Sequence, residues 1–239
     1  MKLSPRTSVI ILLGLLAVII AGVLPGSVYR RVYNLTLGRF FRHTVESRLE
    51  SFSAEAGKRL NLPQPIVQLK IIALKEEKQL ELWGIAASGE KFFIKQYRII
   101  AASGVAGAKL REGDRQVPEG FYLVESLHPN SHFYLALKIA YPSAEDILMA
   151  QRDKRDIDSL GSNIMLHGKG GSVGCIAVDN PDMEEIFLAA AAVGAKSIEL
   201  LILPYDFRLR MPPEKVQPEW LLERYQKLNN AMQNFRREP

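Results

Sequence analysis

Two short apolar runs, Ile164–Leu166 and Cys175–Val178, bracket a stretch that cannot be helical: His167-Gly168-Lys169-Gly170-Gly171-Ser172-Val173-Gly174-Cys175. Each of its four glycines costs a helix about 1 kcal/mol relative to alanine. The segment therefore reads as a loop turning back, hairpin-fashion, between two strands. Such a turn can bring the His167 imidazole to the Cys175 thiol although the two lie eight residues apart. On a continuous helix that spacing would hold them about 12 Å apart, too far for proton transfer.

The surrounding chain supplies a sheet for this loop. Ile66–Leu74, Leu80–Ala86 and Lys91–Ile100 are β-rich runs split by the turns Lys75-Glu76-Glu77-Lys78 and Ser88-Gly89-Glu90, and they read as consecutive antiparallel strands. Turn chemistry at Gly113-Asp114-Arg115 and Pro118-Glu119-Gly120 precedes a strand over Phe121–Glu125, and Phe133–Ile139 is another. Ser143–Arg155 reads as an exposed helix. A second helix is well signalled after the loop, with Asn180 as cap, Pro181 at the first position and acidic residues in the first turn; it stops at Gly194. Ser197–Leu203 closes the set. Strands outnumber helices without regular alternation, so the fold class is α+β, mainly β, and a doubly wound sheet is disfavoured.

Both ends carry appendages. Lys2 and Arg6 precede the apolar run Val9–Leu24, whose sixteen residues span about 24 Å as a helix. No clean cleavage site follows, so residues 1–28 are expected to be a signal anchor ahead of a signal peptide, placing the chain at the inner membrane. Residues 29–65 hold an amphipathic helix (Phe41, Val45, Leu49, Phe52, Ala56, Leu60) serving as a stalk or packing element, ended by Pro63 and Pro65. The catalytic domain is expected over 66–208. In the tail, 209–239, Leu221, Tyr225, Leu228, Met232 and Phe235 form a helix seam that packs on the parent domain or, alternatively, supports a weak homodimer.

The net charge of +5 sits largely at the ends and lacks the clustered Arg-plus-aromatic pattern of a nucleic-acid groove, so no nucleic-acid partner is expected. With one cysteine, an internal disulfide and a four-cysteine zinc site are both excluded. The loop has one residue too many for a dinucleotide fingerprint and no Gly-Lys-Ser/Thr for a P-loop. One His and one Cys are too few to hold a metal, so no metal or cofactor is expected. His43, His128 and His132 read as surface or loop residues. What remains is thiol chemistry, with Cys175 as nucleophile and His167 as base, against a purely structural loop. Gly174, with Gly168 at the loop's start, would let nearby amides face an oxyanion. Ser172 either orients the base or helps bind substrate.

The His167-Gly168 and Ser172-Val173-Gly174-Cys175 block resembles the catalytic motif of the L,D-transpeptidase (YkuD-type) family. Gly113-Asp114-x-x-x-Pro118-Glu119-Gly120-Phe121-Tyr122 and Pro129-Asn130-Ser131-x-Phe133 resemble its upstream segments. The resemblance spans roughly 66–204 and is closest to the YafK-like branch. It implies a β-sandwich with flanking helices and Cys175 in a narrow cleft. It also implies a thioester formed on peptidoglycan tetrapeptide stems with release of D-alanine, and a periplasmic setting. The acyl group would pass to an amine, or to water in a hydrolase using the same pair; a non-catalytic wall-binding protein is the third alternative. Val173 stands where the family often has histidine, and Ala177 where it often has arginine. Lys169 or Arg155 could meet substrate carboxylates.

Overall fold

The computed structural model describes residues 43–62 and 65–236. The N-terminal apolar run lies outside them; among the described helices none is long and apolar enough to cross a membrane.

Two short helices come first, α1 (Val45–Glu50) and α2 (Ser53–Leu60), followed by β1 (Gln68–Leu74), β2 (Gln79–Ile85), β3 (Lys91–Arg98) and the two-residue β4 (Ala101–Ala102). Next are β5 (Gly120–Ser131), β6 (Tyr134–Ile139), α3 (Ala144–Arg152), β7 (Met165–Gly168) and β8 (Ile176–Val178). Helix α4 (Asn180–Val193), β9 (Ile198–Leu203) and α5 (Trp220–Met232) complete the described chain. The strands hydrogen-bond in the order β3-β2-β1-β9-β5-β6-β7-β8-β4. The fold is α+β, mainly β, as the sequence indicates. The long β5 serves both halves, pairing with β9 through Gly120–Leu123 and with β6 from Val124 onward, with register breaks after Val124 and His128.

The pairing β1–β9 is parallel and lies inside the sheet, between β2 and β5. Its residues alternate between two cores, as the period of two requires. Leu69, Ile71, Ala73, Ile198, Leu200 and Ile202 join the core that contains Met183, Ile186 and Phe187 of α4. Ile72, Leu74, Leu201 and Leu203 face the opposite way, into the core built by Trp220, Tyr225, Leu228, Met232 and Phe235. The C-terminal seam is thus consumed by its own domain, and the weak homodimer loses the face it required.

Three further expectations need correcting. The amphipathic segment is not one continuous helix: it breaks at Ser51–Phe52, and of the two roles open to it the described part takes packing, with Phe52, Ala56 and Leu60 buried, Phe52 edge-on to Phe187, and Arg59 paired with Glu184 and Glu185 of α4. The described residues from Thr44 onward fall within one compact unit. Second, the strand expected over Phe121–Glu125 does not end there: β5 runs on through Pro129-Asn130-Ser131, because its bulges absorb these residues without ending the ladder. Third, β7 and β8 do not form a hairpin. They are parallel, with Leu166 opposite Ile176 and His167 opposite Ala177. Parallel neighbours ordinarily need a long crossover, but these strands are so short that the return from Gly168 to Ile176 spans only about 8 Å. Left-handed backbone at Lys169 (φ 54°), Gly170 (φ 99°) and Gly174 (φ 109°) folds the connection into that space.

Candidate active site

The parallel return decides which side chains meet. Paired residues of adjacent strands share a face, so His167 and Ala177 point away from α4, whereas Leu166, Ile176 and Val178 enter the α4 core. Cys175, two residues before Ala177, belongs to the His167 face. Strand spacing and rise place its Cα about 8 Å diagonally from that of His167.

The imidazole is 1% exposed, and its Nδ1 lies 2.9 Å from the Gly168 carbonyl oxygen. A carbonyl can only accept, so in the neutral ring Nδ1 carries the proton and Nε2 the lone pair. Gly168 therefore sets the tautomer of His167. Its missing side chain serves packing: a Cβ there would come within 2.8 Å of Asn180 Oδ1 and 3.2 Å of Met183 Cβ.

The half-buried thiol donates to the Asn163 carbonyl at 3.8 Å. Burial pushes it above its ordinary pKa range, against the opposing pull of the Met165 N–H and the Lys109 charge. The thiol and the imidazole lie on one face of the sheet and are not hydrogen-bonded to each other. Rotation about Cys175 χ1, among its staggered wells, redirects the sulfur.

The loop is tied down by a serine pair, half of which no local motif reveals. Ser172 Oγ donates to the Cys175 carbonyl at 2.5 Å, so the proton in its 2.9 Å contact with Ser103 Oγ must come from Ser103. Ser172 Oγ also accepts from the Ser103 N–H, and Ser103 Oγ accepts the Gly174 N–H at 2.7 Å. Ser103 arrives because β4 pairs with β8, Ala102 opposite Ile176. Ser172 therefore tethers the backbone of Cys175. The Gly174 amide is already bonded and does not face an oxyanion. Ser103→Ala and Ser172→Ala are each expected to lower stability by about 1 kcal/mol. The double variant should lose less than the sum, measured by urea unfolding.

The two expected substrate cations lie apart from this knot. Arg155 is spent on the Leu110 carbonyl and on Asp153. Lys169 lines an open cavity of about 530 Å³ with Ile100, Gly170 and the Asp179–Asp182 start of α4, at the far end of the loop from Cys175. The cation whose charge reaches Cys175 is Lys109. It is buried, bonded to Asp114 at 2.6 Å, and the same carboxylate also accepts from the amides of Leu110, Arg111 and Gln116. Gly113-Asp114 thus folds the segment that carries Lys109. Among the described residues no three His, Cys, Asp or Glu side chains converge as a metal set.

Residues 70–196, which include both His167 and Cys175, match the model of the L,D-transpeptidase catalytic domain, YkuD. The chain belongs to this family. Among L,D-transpeptidase relatives, YafK of Escherichia coli K12, itself assigned to the activity only provisionally, is 36% identical over 137 residues. YafK of Escherichia coli O157:H7 matches to the same extent. The match covers 55% of this chain and 52% of the relative, so the chain spans about half the length of the curated relatives it matches. A solved structure, the helical cell shape determining protein Pgp2 from Campylobacter jejuni, is 21% identical with a TM-score of 0.45, covering 68% of this chain and 57% of that one.

Proposed function

We propose that this L,D-transpeptidase family member is a cysteine acyltransferase of peptidoglycan stem peptides, working on the periplasmic side of the inner membrane and held there by its N-terminal run. The observation that carries the reading is the tautomer of His167. With Nδ1–H fixed on Gly168, Nε2 is available to take the proton of the half-buried thiol that shares its face. As the sulfur attacks the carbonyl that links the third stem residue to D-alanine, Nε2 receives the thiol proton and the amide of Cys175 meets the oxyanion. The C–N bond breaks, Nε2 returns the proton to the departing amine of D-alanine, and a thioester remains. An acceptor amine then attacks the thioester, giving its proton to Nε2, and the thiol is restored.

Incubation of the full chain with tetrapeptide muropeptides tests this by mass spectrometry. The expected results are an acyl-tripeptide adduct on Cys175 and crosslinked products. Trimmed tripeptide monomers alone would make water the acceptor and the protein a hydrolase. A protein that gains no adduct and changes no muropeptide would be a wall-binding scaffold, and the proposal would be lost.

A further inference from the structure

The Pro129-Asn130-Ser131-x-Phe133 segment has no part in the mechanism above, yet it supplies the ring stacked on the base. Phe133 lies face-on over His167, ring centroids 4.5 Å apart and planes inclined by 29°. The imidazole beneath it is 1% exposed, while the phenyl ring is 43% exposed. A half-exposed aromatic covering a fully buried histidine is a cap and not a core residue.

The backbone is arranged to put it there. The Phe133 N–H is held by Ser131 Oγ at 3.1 Å. The next residue, Tyr134, sits at φ +77°, a conformation that is an outlier for an aromatic residue. Tyr134 is held in it from outside: its hydroxyl donates to Glu184 Oε1 at 2.5 Å, and the Arg48 guanidinium lies 4.7 Å over its ring. The loop gives way to both rings. A Cβ on Gly170 would stand 3.2 Å from Phe133 Cδ1, and one on Gly168 would stand 3.4 Å from Tyr134 Cδ1. Phe133 and Tyr134 therefore grip the end of β7 from its two faces, next to the residue that bears the base.

We propose that Phe133 is a positioning residue: it fixes the plane of the His167 imidazole so that Nε2 stays presented to Cys175, and it keeps bulk water off the base. The face-on ring also favours the imidazolium that forms when the thiol proton is taken up, because the π face attracts a cation. This inference rests on the thiol–imidazole reading above.

Cys175 is the chain's single cysteine, so alkylation by iodoacetamide reports it alone. The experiment follows the alkylation rate against pH for the wild type, His167→Ala, Phe133→Ala, Phe133→Leu and Phe133→Tyr, with circular dichroism confirming the fold. His167→Ala is expected to move the profile to higher pH. Phe133→Ala should move it the same way and slow alkylation at neutral pH by about 2- to 12-fold, the range for a lost aromatic pair. Phe133→Leu, which preserves bulk at the turn, should stay impaired, and Phe133→Tyr should restore the wild-type profile. If His167→Ala shifts the profile while the alanine and leucine variants at 133 superimpose on the wild type, the positioning role is overturned and the thiol–imidazole pair stands. If His167→Ala itself superimposes on the wild type, the pair is overturned and the role of Phe133 with it.

Discussion

Cys175→Ala is expected to remove all acyl-enzyme, seen as complete loss of the mass adduct with a tetrapeptide stem or a carbapenem. No second thiol exists in the chain to take over. His167→Ala should leave the sulfur in place and slow acylation by roughly 10²- to 10⁴-fold, the usual contribution of a positioned general base. The residual reaction should rise with pH: burial holds the thiol pKa up, so thiolate forms only above the ordinary thiol range once the imidazole is gone. Acylation of the His167 variant at the wild-type rate would show that the buried imidazole is structural. An adduct persisting in the Cys175 variant would place the nucleophile elsewhere.

Much of this site is local and could be read from nine residues. Glycine density excludes a helix whatever surrounds it, and a histidine and a cysteine at the ends of a short loop have few ways to avoid one another. The meander β1–β3 was legible for a similar reason, since charged turns separate β-rich runs. What could not be read is whatever arrives from far along the chain. Strand direction at β7–β8 is set by the ladders on either side, β6 and β4, and the loop's own sequence permits either sense. Ser103 lies 69 residues before Ser172, and nothing in Ala101-Ala102-Ser103 marks its hydroxyl as the partner of a loop amide. Phe133 presented the same difficulty, because an aromatic near a turn carries no sign of which ring it will cover. Charge alone marks Arg155 and Lys169 in the sequence, whereas the placement of Lys109, whose charge lowers the Cys175 pKa, depends on the Asp114 turn. In the charged turn Lys75-Glu76-Glu77-Lys78, only the fold shows that Lys75 points inward.

That inward lysine leads to the largest expected loss of stability. Glu119 is fully buried and accepts at once from Lys75 Nζ at 2.7 Å, from the Gly107 N–H and from the Tyr225 hydroxyl, so it joins β1, the segment before β5 and helix α5. Burial raises its pKa, against the Lys75 charge and these donors. Glu119→Ala would strand an ammonium group in the interior, at a cost of about 3–5 kcal/mol. A lowered urea midpoint at unchanged slope should reveal it. Replacing both partners, Lys75→Met with Glu119→Leu, removes the stranded charge and should recover most of the loss. If the pair cost as much as the two single changes added together, the damage would come from packing and not from the unpaired cation. The effect should also reach the chemistry. Gly107 belongs to the stretch between Ser103, which tethers the Cys175 loop, and Lys109, whose charge opposes the rise in the thiol's pKa. Releasing that stretch should therefore slow alkylation of Cys175 even at temperatures where the Glu119→Ala variant remains folded.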